Sequence, residues 1–368
     1  MTELFTNLRN FELTHAVMIV IGLVLIWLAI ARKYEPTLLL PIGFGTILTN
    51  ILNFAGLDKG GPLDILFQAG IATELFPLLI FIAIGAMIDF SPLLKNPFML
   101  LFGAAAQVGI FVTIVAATLL GFDLKSAGAI GIIGAADGPT SIYVANRFAR
   151  DLLPVISVAA YSYMALVPII QPPVIRLLTS REERRIRMDY HDEPVPKVVK
   201  IIFPLLITII AGIFVPSAVA LIGFLMFGNL IRESGVLESL SKSAQNELAN
   251  LVTILLGISI ASTMVGSSFL KVTTLKIIAL GLVAFIFDTA GGVLFAKLLN
   301  VFKKRKINPM IGACGISAFP MSARVIHQMG QKEDPFNFLL MPAVSVNVGG
   351  QIGSVVAGGL ILALLGHL

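Results

Sequence analysis

A single aspartate interrupts a long apolar stretch in the motif GAADGPTS. Gly138 and Pro139 end a helix there, because proline lacks an amide hydrogen and restricts the residue before it. The freed backbone carbonyls and the Asp137 carboxylate can then bind a hard cation such as sodium. The motif predicts a cation site at Asp137; the alternative is an aspartate that only caps the following helix. Two nearby hydroxyls are further candidate ligands, those of Thr140 and Ser141.

A second motif, NPMIGACGISAFPMSARV, combines neutral oxygen ligands with small residues. Amide and hydroxyl oxygens suit a hard cation, and glycines let two backbones approach closely. The motif therefore predicts a second broken helix that shares a site with the first. Its candidate ligands and close-contact positions are Asn308, Gly312, Gly315, Ser317 and Ser322.

Arg324 is one of few cationic residues inside an apolar segment. A guanidinium there can pair with Asp137 or hold a carboxylate substrate, for which its planar fork is suited. The alternative is an arginine at a helix end whose charge reaches the membrane surface.

Each motif is followed by a long apolar segment that carries a polar residue at a matching place, Tyr163 in one and Asn347 in the other. A buried tyrosine hydroxyl needs a partner and can relay a proton. Asn347 and Gln351 can support the site or bind neighbouring helices together. A further matching pair consists of Gln107 and Asp288, of which Asp288 is the rival intramembrane acid.

The elements that must position these residues are membrane helices. The chain has 368 residues, of which 57% are hydrophobic and 13% charged, whereas a soluble domain carries about 25% charged residues. Apolar runs of roughly 20 residues with helix-forming composition predict transmembrane helices. Cys314 is the one cysteine of the sequence, which excludes an internal disulfide. The net charge of +5 lies mostly in loops, so it indicates membrane topology and no nucleic-acid partner.

We predict an all-α integral membrane protein with about 10 transmembrane helices and two broken or re-entrant segments. The halves share similar stretches in the same order, which favours an internal repeat. Five crossings and one broken segment in each half would invert the second half, as in elevator-like carriers. The predicted units are an N-terminal helix in 1–31, a first repeat 32–179 with broken segment 126–149, a linker 180–199, and a second repeat 200–368 with broken segment 307–329.

The basic loops set the expected orientation. Arg32-Lys33, the arginines between Arg176 and Arg187, and the KKRK run from Lys303 should all face the cytoplasm. The first apolar segment lacks a preceding basic region and cleavage site, so we expect it to be retained.

With these residues in hand, the chain resembles the β subunits of the biotin-dependent, sodium-translocating decarboxylases of oxaloacetate, methylmalonyl-CoA, glutaconyl-CoA or malonate. The resemblance covers nearly the whole length and is most specific from Gly134 to Met188 and from Ile307 to Gly330. The chain is shorter than oxaloacetate decarboxylase β subunits, which favours the acyl-CoA type.

The resemblance implies that the β subunit decarboxylates carboxybiotin, consumes a proton and exports sodium. It implies essential roles for six residues of matching type, Asp137, Tyr163, Asn308, Gly312, Ser317 and Arg324. We expect sodium between the two broken segments, bound by Asp137, Asn308 and Ser317 with backbone carbonyls such as that of Gly312. Arg324 would hold carboxybiotin, and Tyr163 would pass the proton.

The resemblance further implies a bacterial cytoplasmic membrane and a multisubunit complex. The expected partners are a biotin carrier protein, a carboxyltransferase α subunit and a small membrane γ subunit, with a β-subunit oligomer, a trimer. The residues alone equally allow a sodium-coupled secondary transporter of an organic anion, and less well an ion channel. No phosphate-binding loop, zinc-protease motif or nucleophile elbow is present in the sequence.

Overall fold

The computed structural model describes residues 11–33, 36–51, 55–188 and 194–367, and this part of the chain is mostly helical, without a β-strand. The prediction of an all-α protein is therefore confirmed. Residues 1–10 of the predicted N-terminal unit and 189–193 of the predicted linker lie outside the described residues.

The helices of the first half, in chain order, are α1 Leu13–Ala31, α2 Pro36–Thr49, α3 Pro62–Leu66, α4 Leu75–Met87, α5 Ser91–Lys95, α6 Leu100–Ala105, α7 Val108–Leu119, α8 Leu124–Gly131, α9 Gly138–Phe148, α10 Leu153–Leu178 and α11 Arg181–Arg184. Those of the second half are α12 Lys197–Phe214, α13 Val219–Ser234, α14 Glu238–Ser243, α15 Ala249–Ala261, α16 Gly266–Phe269, α17 Val272–Phe302, α18 Met321–Glu333 and α19 Leu340–Leu365.

Within the described ranges, eight helical segments are long and apolar enough to cross a membrane. A ninth crossing results if Pro62–Ala72 and Leu75–Met87, which meet at a 62° bend, form one span. The apolar helix α2 is shorter than these segments, at 14 residues. The structure thus supports a multi-pass membrane protein.

Two helical segments break inside the protein, where the sequence places its turn-forming residues. The first hairpin, residues 124–148, consists of α8, a 3₁₀ turn, and α9, with Ala136 in the left-handed region at a φ of 51°. The second hairpin, residues 309–333, consists of the 3₁₀ helix Pro309–Gly315, an extended tip, and α18. The two hairpins lie within a few residues of the predicted broken segments 126–149 and 307–329.

The first hairpin enters and leaves at one end of the molecule. Residues from both of its ends, among them Phe122, Ser126 and Arg150, line a single cavity of about 480 Å³. Ser126 precedes the broken tip and Arg150 follows the returning helix α9, so this segment is re-entrant and does not cross.

The second hairpin enters and leaves at the other end. Asn308, the residue just before this hairpin, donates hydrogen bonds to the carbonyls of Arg184 and Ile186, at 3.0 and 2.8 Å. Its last residue, Glu333, accepts a hydrogen bond from Arg184 at 2.8 Å. The 26-residue helix α10 joins the two ends, and a helix of that length spans roughly 39 Å. The two hairpins therefore open to opposite ends of the molecule.

Close backbone contacts hold the second hairpin against α17. A Cβ atom added at Gly312 would lie 2.0 Å from the Gly292 carbonyl oxygen, and one at Gly292 would lie equally close to the Gly312 oxygen. Since no side chain fits between these backbones, both positions require glycine.

Candidate functional site

Asp137 lies at the tip of the first hairpin, where the chain turns from the 3₁₀ turn into α9. It is the N-cap residue of α9, and its Oδ1 accepts a hydrogen bond from the Thr140 amide at 3.1 Å. Only 3% of its surface is exposed. The capping role considered from the sequence is thus present, on a carboxylate buried in the centre of the protein.

The tip of the second hairpin meets Asp137 directly. The Ser317 hydroxyl donates to Oδ2 of Asp137 at 3.3 Å, and the Ser317 amide donates to the Ala135 carbonyl at 2.9 Å. A backbone bond and a side-chain bond therefore join the two tips, and the structure brings together two of the residues predicted to share a site.

Helix α19 supplies the third wall of the site. The Ser354 hydroxyl donates to Oδ2 of Asp137 at 2.8 Å, and the Gln351 amide donates to the Ser317 carbonyl. Asn347 donates to the carbonyls of Cys314 and Ile316, at 3.1 and 2.7 Å. The polar residues of α19 thus fix the second tip.

Sequence reasoning missed Ser354, although it named Asn347 and Gln351. The three residues follow one another at spacings of four and three along α19, which places them on one helix face. That periodicity is the signal that could have identified Ser354.

The oxygen chemistry around Asp137 suits a hard monovalent cation. Described residues form no group of three or more His, Cys, Asp or Glu side chains, so the ligand set differs from that of a transition metal. Two buried oxygens in this region have no hydrogen-bond partner among the described residues: Oγ1 of Thr140 and Oδ1 of Asn347. A buried carboxylate with unpartnered neutral oxygens nearby fits a hard monovalent cation.

Asn308 and Gly312 do not lie at the tip of the second hairpin. The Asn308 amide group donates to Arg184 and Ile186, and its oxygen accepts from the Met310 amide at 3.0 Å. Asn308 thus anchors the start of the second hairpin to the linker after α10. Gly312 contacts Gly292 of α17. Neither residue is hydrogen-bonded to Asp137 in the structure.

Tyr163 of α10 is buried, but its hydroxyl donates to the Ile278 carbonyl of α17, and its ring stacks against Phe285 at a centroid distance of 6.5 Å. An aromatic residue next to Asp137 is Tyr161, which was not among the predicted site residues. A Cβ atom added at Gly138 would lie 2.2 Å from the Tyr161 ring. Tyr161 therefore packs directly on the residue after Asp137.

Arg324 lies on α18, one turn after the second tip, and its side chain is exposed. No hydrogen bond or ion pair of its guanidinium is present among the described residues, so it does not pair with Asp137. Gln328 follows it by four residues and is also exposed, which places both on one face of α18. A free guanidinium on a polar face can bind a carboxylate that enters from that side.

Gln171 of α10 forms a second polar contact with the second hairpin. Its amide donates to the Ala313 carbonyl at 2.8 Å, and its oxygen accepts from the Ser322 hydroxyl at 2.9 Å. Ser322, a predicted oxygen ligand, thus bonds to α10 and not to Asp137.

Asp288, the rival acid, is fully buried on α17. Its Oδ1 accepts from the Ile110 amide at 3.2 Å, in the first turn of α7. Its Oδ2 has no hydrogen-bond partner. A carboxyl group at a helix N-terminus satisfies amides that the helix leaves free, so Asp288 caps a helix break.

Ion pairs close the outer end of the second hairpin. Arg184 and Arg181 contact Glu333 at 2.8 and 3.3 Å, and Arg187 contacts Asp334 at 2.7 Å. The hydrogen bond from Arg187 lowers the pKa of the Asp334 carboxyl and in turn raises the pKa of Arg187. These contacts fix the hairpin to the arginine-rich linker.

The sequence is similar to proteins of a known family over nearly its whole length. The family model for the Na+-transporting oxaloacetate decarboxylase beta subunit matches residues 14–365. The chain is 52% identical to the glutaconyl-CoA decarboxylase subunit beta of Acidaminococcus fermentans, over 97% of this chain and 94% of that protein. It is 52% identical to the methylmalonyl-CoA decarboxylase subunit beta of Veillonella parvula, over 97% and 95%.

A longer relative is less similar. The chain is 46% identical to the oxaloacetate decarboxylase beta chain 2 of Salmonella typhi, over 98% of this chain and 99% of that protein. The similarity to the acyl-CoA type expected from the length of the chain is confirmed.

Proposed function

The chain belongs to the family of sodium-transporting decarboxylase beta subunits, and from this premise we propose that it decarboxylates carboxybiotin and exports sodium through a site at Asp137. As a decarboxylase beta subunit it is a membrane part of a multisubunit complex. The observation that carries the site is the buried carboxylate of Asp137, bonded by Ser317 and Ser354 where the two hairpin tips meet.

Sodium would bind between the tips. Asp137 supplies the negative charge, and Ser317 and Ser354 supply hydroxyl oxygens that now donate to its Oδ2. Either hydroxyl can turn its hydrogen away and offer a lone pair to a cation. Asn308, which we expected to bind sodium, has both amide atoms engaged near the linker, so we assign it to anchoring the hairpin.

A proton and a sodium ion would compete for the same carboxylate, because each neutralises it. Decarboxylation consumes one proton, since the ureido nitrogen of biotin loses its carboxyl group as carbon dioxide and takes up a proton. Protonation of Asp137 would displace sodium from the site, and transfer of that proton to the biotin nitrogen would leave the carboxylate free to bind sodium again. We propose Tyr163 for the proton path, and the hydrogen bond from its hydroxyl to the Ile278 carbonyl supports a path along α17.

Arg324 would hold the carboxyl group of carboxybiotin. Its exposed guanidinium lies on α18, between the tip at Ser317 and the basic linker that contacts Glu333. A biotin carrier protein loaded by a carboxyltransferase α subunit would present the group from that side. We further propose a small membrane γ subunit, a trimer of this chain, and the bacterial cytoplasmic membrane with the basic loops inside.

An inverted repeat would provide the two access routes. The hairpins open to opposite ends, and each is followed by a 26-residue helix, α10 or α19. We propose that the hairpins with these two helices form an elevator-like core that moves against the other helices. We propose that α1 and α12, the first helices of the two halves, correspond to each other, so that the first repeat would begin with α1 and not at the predicted boundary of residue 32.

The proposed site is tested by two matched substitutions, Asp137→Asn and Asp288→Asn. Each removes one buried carboxylate, but only Asp137 touches both hairpin tips. We expect Asp137→Asn to abolish sodium-stimulated release of carbon dioxide from a carboxybiotin-loaded carrier protein. Asp288→Asn keeps an oxygen for the Ile110 amide, so sodium stimulation should persist.

Sodium-stimulated turnover that survives in Asp137→Asn would remove Asp137 from the ion site. If wild-type protein with all partner subunits released no carbon dioxide, the decarboxylase assignment itself would fail. In that case sodium-dependent uptake of an organic anion would be measured next.

A further inference from the structure

A cleft with an unusual concentration of positive charge opens beside the start of the second hairpin. Its volume is about 310 Å³. Among the residues that the structure describes, five cationic residues and no acidic residue line it. These lining residues are Asn96, Met99, Arg187, Met188, Lys303, Lys304, Arg305, Lys306 and Ile307. We propose that this cleft binds the phosphate-bearing headgroup of an anionic membrane lipid.

Three lysines of the cleft, Lys303, Lys304 and Lys306, form no ion pair with any acidic side chain that the structure describes. Arg187 pairs with Asp334 at 2.7 Å. Lys303 lies 4.0 Å from the centre of the Phe98 ring, and Lys306 donates to the Asn300 carbonyl. A ring and a carbonyl orient these ammonium groups but carry no net negative charge. An anion in the cleft would therefore meet an excess of positive charge.

The surroundings of the cleft favour a lipid over a free anion. The residues just before Lys303 are exposed and apolar: Phe302 is 80% exposed and Val301 73%. On the other wall, Leu101 follows Met99 by two residues and is 48% exposed. These side chains lie on membrane-crossing segments, where acyl chains would cover them. A basic cleft that borders lipid-facing apolar side chains matches the sites that anionic headgroups occupy.

The site would act on the second hairpin. Lys306 and Ile307 directly precede Asn308, whose amide holds the hairpin to Arg184 and Ile186. Arg187, on the same linker, forms the facing wall. A bound headgroup would bridge the 303–307 loop and the linker, and would steady the fixed end of the hairpin while its tip remains free to move.

The simplest alternative is that the basic loop only determines membrane orientation. That role requires charge but neither a cleft nor a ring beneath Lys303. The test therefore compares lipids of different headgroup on the full chain purified in detergent. Native mass spectrometry would measure retention of phosphatidylglycerol and of phosphatidylcholine with the same acyl chains.

We expect phosphatidylglycerol to be retained selectively. A variant carrying Lys303→Gln, Lys304→Gln and Lys306→Gln should lose about 100-fold of that retention, because each basic residue near a membrane surface contributes about tenfold or less. The control variant carries Lys125→Gln, Lys271→Gln and Lys276→Gln. It removes the same charge near the opposite end of α17 and should retain the lipid like the wild type.

Two further arms distinguish the source of the phosphate. Inorganic phosphate and glycerol 3-phosphate lack acyl chains, so neither should displace the lipid at millimolar concentration. Any of three results would overturn the proposal: equal retention of the two lipids, equal loss of phosphatidylglycerol in the two variants, or displacement of the lipid by inorganic phosphate. Gel filtration of each variant confirms that it is folded before retention is compared.

Discussion

Asp137 receives hydrogen bonds from three separate parts of the chain: the Thr140 amide in its own hairpin, Ser317 in the other hairpin, and Ser354 of α19. A buried carboxylate is costly unless hydrogen bonds or a cation compensate it. The three donors therefore orient the carboxylate and keep it in place when no ion is bound. The position of the Asp137 carboxylate depends on how the two hairpins and α19 align.

Ser354→Ala should weaken sodium binding without unfolding the protein. In the proposed site the Ser354 hydroxyl turns its hydrogen away from Asp137 and offers a lone pair to sodium, so the substitution removes one sodium ligand. The half-saturating sodium concentration should therefore rise about tenfold, which corresponds to about 1.4 kcal/mol. Sodium-dependent decarboxylation measures this concentration directly.

The matched control is Ser345→Ala on the same helix. Ser345 is also buried, but its hydroxyl donates to the Pro92 carbonyl at 2.8 Å, away from Asp137. An unchanged sodium requirement in Ser354→Ala, or an equal change in both variants, would show that Ser354 does not act on the ion site.

At this scale the sequence predicted part of the site. Asp137 and Ser317 could be found because each stands in a motif that breaks a helix in apolar surroundings. Ser354 and Tyr161 could not be placed, because both lie in regular helices and reach the site only through the packing of α19 and α10. Asn308 was assigned to the ion because its amide suits one; the structure uses both amide atoms to anchor backbone.

The hairpins are held by backbone contacts more than by large side chains. Gly312 and Gly292 approach so closely that each excludes a Cβ atom on the other. Such contacts tolerate little change, because a close-packed interior cannot yield by a full carbon radius. They hold the first arm of the second hairpin, which contains Gly312, against α17.

Gly312→Ala should therefore destabilise the protein by about 1–3 kcal/mol, as overpacking does in other cores. Thermal unfolding in detergent, followed by circular dichroism, measures the effect. The control is Gly223→Ala in α13, where the nearest atom to an added Cβ is 3.8 Å away. That substitution should be neutral or slightly stabilising, since alanine favours a helix. Equal melting temperatures for both variants would contradict the close contact.

At the scale of elements, composition and turn residues predicted the helices and both breaks. They did not decide whether each broken segment crosses or returns, because a broken crossing and a hairpin share the same Gly and Pro signals. That decision depends on contacts distant in sequence, such as those of Asn308 with Arg184 and of Arg150 with the cavity beside Phe122.

The opposite orientation of the hairpins predicts which face of the membrane reaches each loop. Cysteines at Ser126 and Arg150 should react with an impermeant maleimide from one face, and a cysteine at Lys304 from the other. Cys314 is buried, so it should stay unreactive, and a Cys314→Ala background removes it altogether. Labelling in right-side-out and inverted vesicles distinguishes the faces. Reaction of Ser126→Cys and Arg150→Cys from different faces would show that the first segment crosses.

The meeting point of the tips also determines how the membrane voltage acts on an ion. Ser354, which bonds Asp137, is the fifteenth residue of the 26 in α19, so the site lies near the middle of that helix. One elementary charge that crosses the whole membrane experiences about 2.3 kcal/mol per 100 mV. With the site at mid-depth, roughly half of that electrical work accompanies entry of the ion into the site and the other half accompanies its release. Uptake from one side and release to the other would then be voltage-dependent to a similar degree.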